Sequence, residues 1–76
     1  MANVLAQRIE ETLRPVLGTV LASVSVDVEA KRIGKTTDTI GREDLPKISE
    51  NLVNALRLVV GQEMAMIASR KVRELA

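Results

Sequence analysis

The chain has 76 residues, 11 Lys and Arg against 10 Asp and Glu, and no His, Cys, Phe, Trp or Tyr. That inventory excludes the common near-neutral proton shuttle, thiolate nucleophiles, imidazole or thiolate metal ligands, disulfides, and ring platforms for stacking a base or a sugar. A chain this short and nearly neutral reads as one domain, 1–76, whose aliphatic core gains margin only through close packing or self-association.

The first segment places Val4/Leu5, Ile9 and Leu13 on one face and predicts a helix over 3–14. Asn3 is a suitable N-cap, and Glu10 and Arg14 form an i,i+4 pair in the favourable order. Pro15 disfavours helical geometry at Arg14, so a break is expected there.

Residues 15–33 fit two templates. Ala22, Val24, Val26, Val28 and Ala30 alternate with Ser23, Ser25, Asp27 and Glu29, the pattern of an amphipathic strand. Leu17, Val20, Leu21, Val24 and Val28 also follow helical spacing. Helix is favoured by Pro15 as a first helical residue, by the Asp27–Lys31 pair, and by the cations Lys31 and Arg32 ahead of Gly34. No second convincing strand exists within the chain, so a strand here needs another copy as its partner.

Residues 34–41 form a polar connection. Gly41, then Glu43 and Asp44, suit the start of the next helix, with Ile40 and Leu45 spaced as a hydrophobic staple. Pro46 shifts the regular start towards Asp44. Leu45, Ile48, Leu52, Leu56 and Val59 give the clearest periodicity and predict a helix over 42–60. Gly61 breaks it. Met64, Ile67/Ala68, Val72 and Leu75 mark the inner face of a last helix, 62–75. No internal repeat, low-complexity tract or linker is expected.

Motifs carry little chemistry. Gly34-Lys35-Thr36 resembles the end of a phosphate-binding loop, but Glu29 stands where the first glycine belongs, and a carboxylate there repels phosphate. The serines have no histidine to activate them. The neighbours Glu10/Glu11 and Glu43/Asp44 diverge by about 100° on a helix and do not converge on one bond. Arg70, Lys71 and Arg73 are the densest basic cluster, and compensation of the helix dipole accounts for them. The order of alternating segment, helix, glycine, helix is similar to that of ribbon-helix-helix DNA-binding dimers. The base-reading face of such a ribbon would carry Asp27 and Glu29, which face phosphate badly, so that family is not assigned.

The expected fold is an all-α domain of four short helices, 3–14, 15–33, 42–60 and 62–75. The alternative is an α+β domain with residues 20–31 as a strand paired across a dimer. Apolar positions exceed what one helix face hides, so Val24, Val26, Val28, Val53, Leu58 and Val60 are the candidate interface. The expected function is a non-catalytic self-association or protein-interaction module, forming a homo-oligomer or binding another protein. The alternative is a small dimeric nucleic-acid-binding regulator contacting its ligand through Arg70, Lys71 and Arg73. No enzymatic activity, cofactor, metal site or membrane association is expected. The N-terminus lacks a signal-peptide pattern and the longest uncharged stretch, Pro15 to Val26, is too short for a bilayer, so a cytoplasmic location is expected.

Overall fold

Asn3 starts the first helix and also ties down the chain's one long connection. In the computed structural model, which describes residues 2–76, its side-chain oxygen accepts from the Ala6 amide at 2.8 Å. Its Nδ2 donates to the Ile40 carbonyl at 2.9 Å, and its backbone amide donates to the Thr37 carbonyl at 2.9 Å. Ile40 itself is buried in the core. The 33–44 connection is thereby pinned to the start of α1.

The helices are α1 (Val4–Leu17), α2 (Thr19–Arg32), α3 (Leu45–Val60) and α4 (Gln62–Arg73), with one 3-10 turn, Arg42–Asp44, leading into α3. There is no strand among the described residues. The 20–31 segment is helical because Ala22, Val26 and Ala30 bury on one side of it. The Asp27–Lys31 pair forms at 3.2 Å. Ile40 and Leu45 are both buried, as the staple requires.

The first helix ends at Gly18, not at Pro15 as expected. Pro15 lies in the last turn of α1, where one missing amide is tolerated. The Gly18 amide donates to the Arg14 carbonyl at 2.8 Å and closes the turn around the ring. Gly18 has φ 82°, ψ 166°, and Gly61 has φ 87°, ψ 160°. This region is essentially closed to residues with a Cβ. Each glycine is at once the C-cap of one helix and the N-cap of the next, so two helices join through a single residue.

The result is two antiparallel hairpins, α1–α2 and α3–α4. α1 also packs on α4 and α2 on α3, the last being the least extensive of the four interfaces. The tie from Asn3 places the start of α1, the end of α2 and the start of α3 together. Leu75, just past α4, lines a small cleft with Val4, Leu5 and Arg42 at that same end. Both glycine turns therefore lie at the opposite end. One aliphatic cluster joins all four helices, with Ile9, Leu13, Leu45, Leu52 and Val72 as its largest fully buried side chains. Met64, expected inside, is 43% exposed, and Ala65 takes the inward position.

The two hairpins resemble each other in layout, although the sequence shows no repeat. Aligned on Gly18 and Gly61, the hairpins match at Leu13/Leu56, Arg14/Arg57, Val16/Val59 and Ala22/Ala65. The positions Ala6/Ser49, Ile9/Leu52, Leu13/Leu56, Ala22/Ala65, Val26/Ser69 and Glu29/Val72 are buried in both. Few side-chain identities survive, but the burial pattern does.

A Cβ added at Gly18 or Gly61 meets no atom within 4 Å, so Gly18→Ala and Gly61→Ala isolate the backbone cost. Each is expected to destabilise the fold by about 1–3 kcal/mol, read by chemical denaturation. Asn3→Ala removes a cap and is expected to cost about 1–2 kcal/mol. Unchanged midpoints in the glycine variants would refute the one-residue turns.

Candidate functional site

The six candidate interface residues separate into three groups. Val26 points inward, 5% exposed, because it shares the α2 face of Ala22 and Ala30; it is core, not interface. Val60 packs against the core from its edge, and Val53 lines the groove between α3 and α4. Val24 and Val28 lie on the outward face of α2, and Leu58 is the most exposed large apolar residue of α3.

The outward face of α2 carries more than those two valines. Val20 is 74% exposed, Leu21 51%, Val24 50% and Val28 39%. Their spacing gathers them into one stripe over three turns, opposite the buried residues. α1, α3 and α4 each separate apolar from polar faces, whereas α2 does not. A helix apolar on both sides is ordinarily covered on both. Asn51 on α3 lies against Glu29 on α2. Leu58, further along α3, is 86% exposed.

Among the described residues Glu29 is the one buried carboxylate, 2% exposed. Its Oε2 lies 3.6 Å from Arg32 Nε, and its Oε1 has no hydrogen-bond partner. Burial raises its pKa above the ordinary carboxylate value; Arg32 and Asn51 oppose the shift without cancelling it.

A groove of about 410 Å³ runs between α3 and α4. Its lining includes Val53 and Met66, the cations Arg70 and Arg73, and the opposing carboxylate Glu50. The buried Ser69 hydroxyl in its wall has no partner. Lys71 is exposed but does not line the groove, so the structure brings two of the three basic residues together.

Lys35, the lysine of the phosphate-loop-like triplet, is engaged elsewhere. Its Nζ donates to Asp44 Oδ2 at 2.7 Å and lies 3.8 Å from Glu43. Asp44 also accepts from the Gly41 amide at 2.8 Å. These bonds hold the Asp44 carboxyl below its usual range and raise the lysine. The triplet thus closes the loop ahead of α3.

No group of three or more metal-ligating residues is gathered among the described residues, and no helix is long and apolar enough to cross a membrane. Comparison with protein-family models, with curated proteins and with solved structures returns no match.

A carboxyl whose folded pKa is raised binds its proton more tightly in the folded state. Its favourable contribution is complete below the unfolded pKa and is lost as pH rises through the folded pKa. Glu29→Gln is therefore expected to melt higher than the parent at neutral pH and to converge with it in acid. A parent whose melting temperature rises across that window relative to Glu29→Gln would contradict the assignment.

Proposed function

We propose that this chain is a non-catalytic interaction module that associates with a copy of itself or with another protein. The observation that carries this reading is the uncovered apolar stripe Val20, Leu21, Val24 and Val28 on a helix whose other side already forms the core. Contiguous apolar surface rimmed by polar residues marks an association site. Exposed clusters of this kind also suit the size of the chain, since so small a domain hides only about 60% of its unfolded surface when alone.

The polar groups support this reading. The buried serines are not paired with a base: Ser49 donates to the Pro46 carbonyl at 3.0 Å, and Ser69 stands alone. The charged residues of the loop serve one another through Lys35, Glu43 and Asp44.

A second reading rests on Arg70 and Arg73 sharing one groove. Two cations side by side suit a phosphate backbone, and association would double their number. Glu50 in the same groove weakens that field.

Light scattering after size exclusion tests the first reading. A mass above one chain that grows with concentration in the micromolar range is expected. A strictly monomeric particle at high concentration that also captures no protein would overturn it. Gel shift with mixed duplex DNA and RNA at low salt separates the second: no shift is expected, and a salt-sensitive shift would favour it.

A further inference from the structure

We propose that the groove between α3 and α4 binds a small amphiphilic monocarboxylate, an aliphatic body ending in one carboxylate. The site belongs to the other hairpin from the α2 stripe and does not rest on the association reading above. Met66, Ser69, Arg70 and Arg73 fall at i, i+3, i+4 and i+7, so α4 turns one face of itself to the groove. From α3 come Val53 and, a turn before it, Glu50. The two helices run antiparallel, which puts Glu50 towards the Arg73 end. The groove is therefore apolar at Met66 and Val53 and charged beyond them.

The charges select the head of the ligand. Among the described residues the side chains of Glu50, Arg70 and Arg73 form no ion pair and no hydrogen bond, although all three line one groove. Two guanidiniums against one carboxylate leave a single positive charge, which a monoanion balances. A doubly charged phosphate would meet Glu50. The planar guanidinium fork also matches a carboxylate with two parallel hydrogen bonds. The α4 dipole accounts for cations near that end, but not for an apolar wall beside them. That wall selects the body of the ligand. Met66 is 47% exposed, apolar surface that an aliphatic chain would cover, and a thioether side chain adapts to an irregular contact. Ser69, 4% exposed, holds an unpartnered hydroxyl in the same wall, a donor that an acceptor lodged there would satisfy. At about 410 Å³ the groove has the size of a small-molecule site.

Sodium octanoate is the probe, read through amide chemical shifts of the isotope-labelled chain. Saturable shifts are expected at Val53, Met66, Ser69 and Arg70, with the outer face of α2 unmoved. Acetate, which keeps only the head, and octanol, which keeps only the body, are each expected to bind about tenfold more weakly or worse. Arg70→Gln combined with Arg73→Gln is expected to weaken octanoate about tenfold, the loss of a charge-assisted contact. Glu50→Gln is expected to tighten it, because a like charge facing the ligand is gone. All three positions are exposed, so the variants are expected to keep the parent's helical circular dichroism. Absence of a saturable shift, or equal affinity in the arginine variant, would overturn the proposal. So would acetate or inorganic phosphate binding as tightly as octanoate, no gain in Glu50→Gln, or shifts at Val20, Val24 and Val28 instead. A salt-sensitive shift of the same arginines with duplex DNA, and none with octanoate, would hand the groove to the nucleic-acid reading and leave self-association untouched.

Discussion

Two helices can share a single connecting residue only if that residue takes backbone angles closed to side chains. Gly18 and Gly61 both do so, at φ above 80° with ψ near 160°. Each accepts the end of one helix and starts the next, with its own carbonyl receiving the amide four residues on, Ala22 or Ala65, at 3.0 Å. The geometry leaves no slack between partners. The last turn of each first helix and the first turn of each second helix are held together, and the small residues Ala22 and Ala65 let the pair close. Everything else follows from how two such clasps meet.

Their meeting is governed by polar placement as much as by aliphatic packing. Three buried positions carry a polar side chain where the matching position of the other hairpin is apolar: Ser49 against Ala6, Ser69 against Val26, and Glu29 against Val72. These differences make the two inner faces unlike. Glu29 is the costliest, being a desolvated carboxylate with one unpartnered oxygen. It lies at the interface between α2 and α3, which is also the thinnest of the four. The uncovered apolar stripe borders that same weak seam.

The helical class was legible because four apolar periodicities are separated by glycine or by a polar loop. Capping by Asn3, the Ile40–Leu45 staple and two i,i+4 ion pairs were readable for the same reason: each is local, and local rules act without knowledge of the fold. The boundary between the first two helices was misplaced at Pro15, since a proline in a last turn costs only the bond its missing amide would have made to the Glu11 carbonyl, and the helix runs on to Gly18. The helical spacing through Leu17, Val20, Leu21, Val24 and Val28 set Val24 and Val28 apart from Val26, yet it marked the face that the structure turns outward, while Ala22, Val26 and Ala30 are buried. α2 is apolar on two faces, and which of them meets the core is decided by the other helices. The likeness of the two hairpins was hidden because it lies in burial and not in residue identity: only Leu13, Arg14, Val16, Gly18 and Ala22 recur. The pairing of Arg70 with Arg73 in one groove was half visible from their spacing of three, but the facing Glu50 and Val53 come from another helix.

The single covalent bridge between the hairpins, Ile33 to Asp44, has a kinetic meaning. Within each clasp, contacting residues are close in sequence, and helix pairs of this kind form quickly. Contacts of α1 with α4 span nearly the whole chain. The contacts of this fold thus divide into two classes, those that close a short loop within a hairpin and those that close nearly the whole polypeptide, and the second class carries the larger entropic cost of closure.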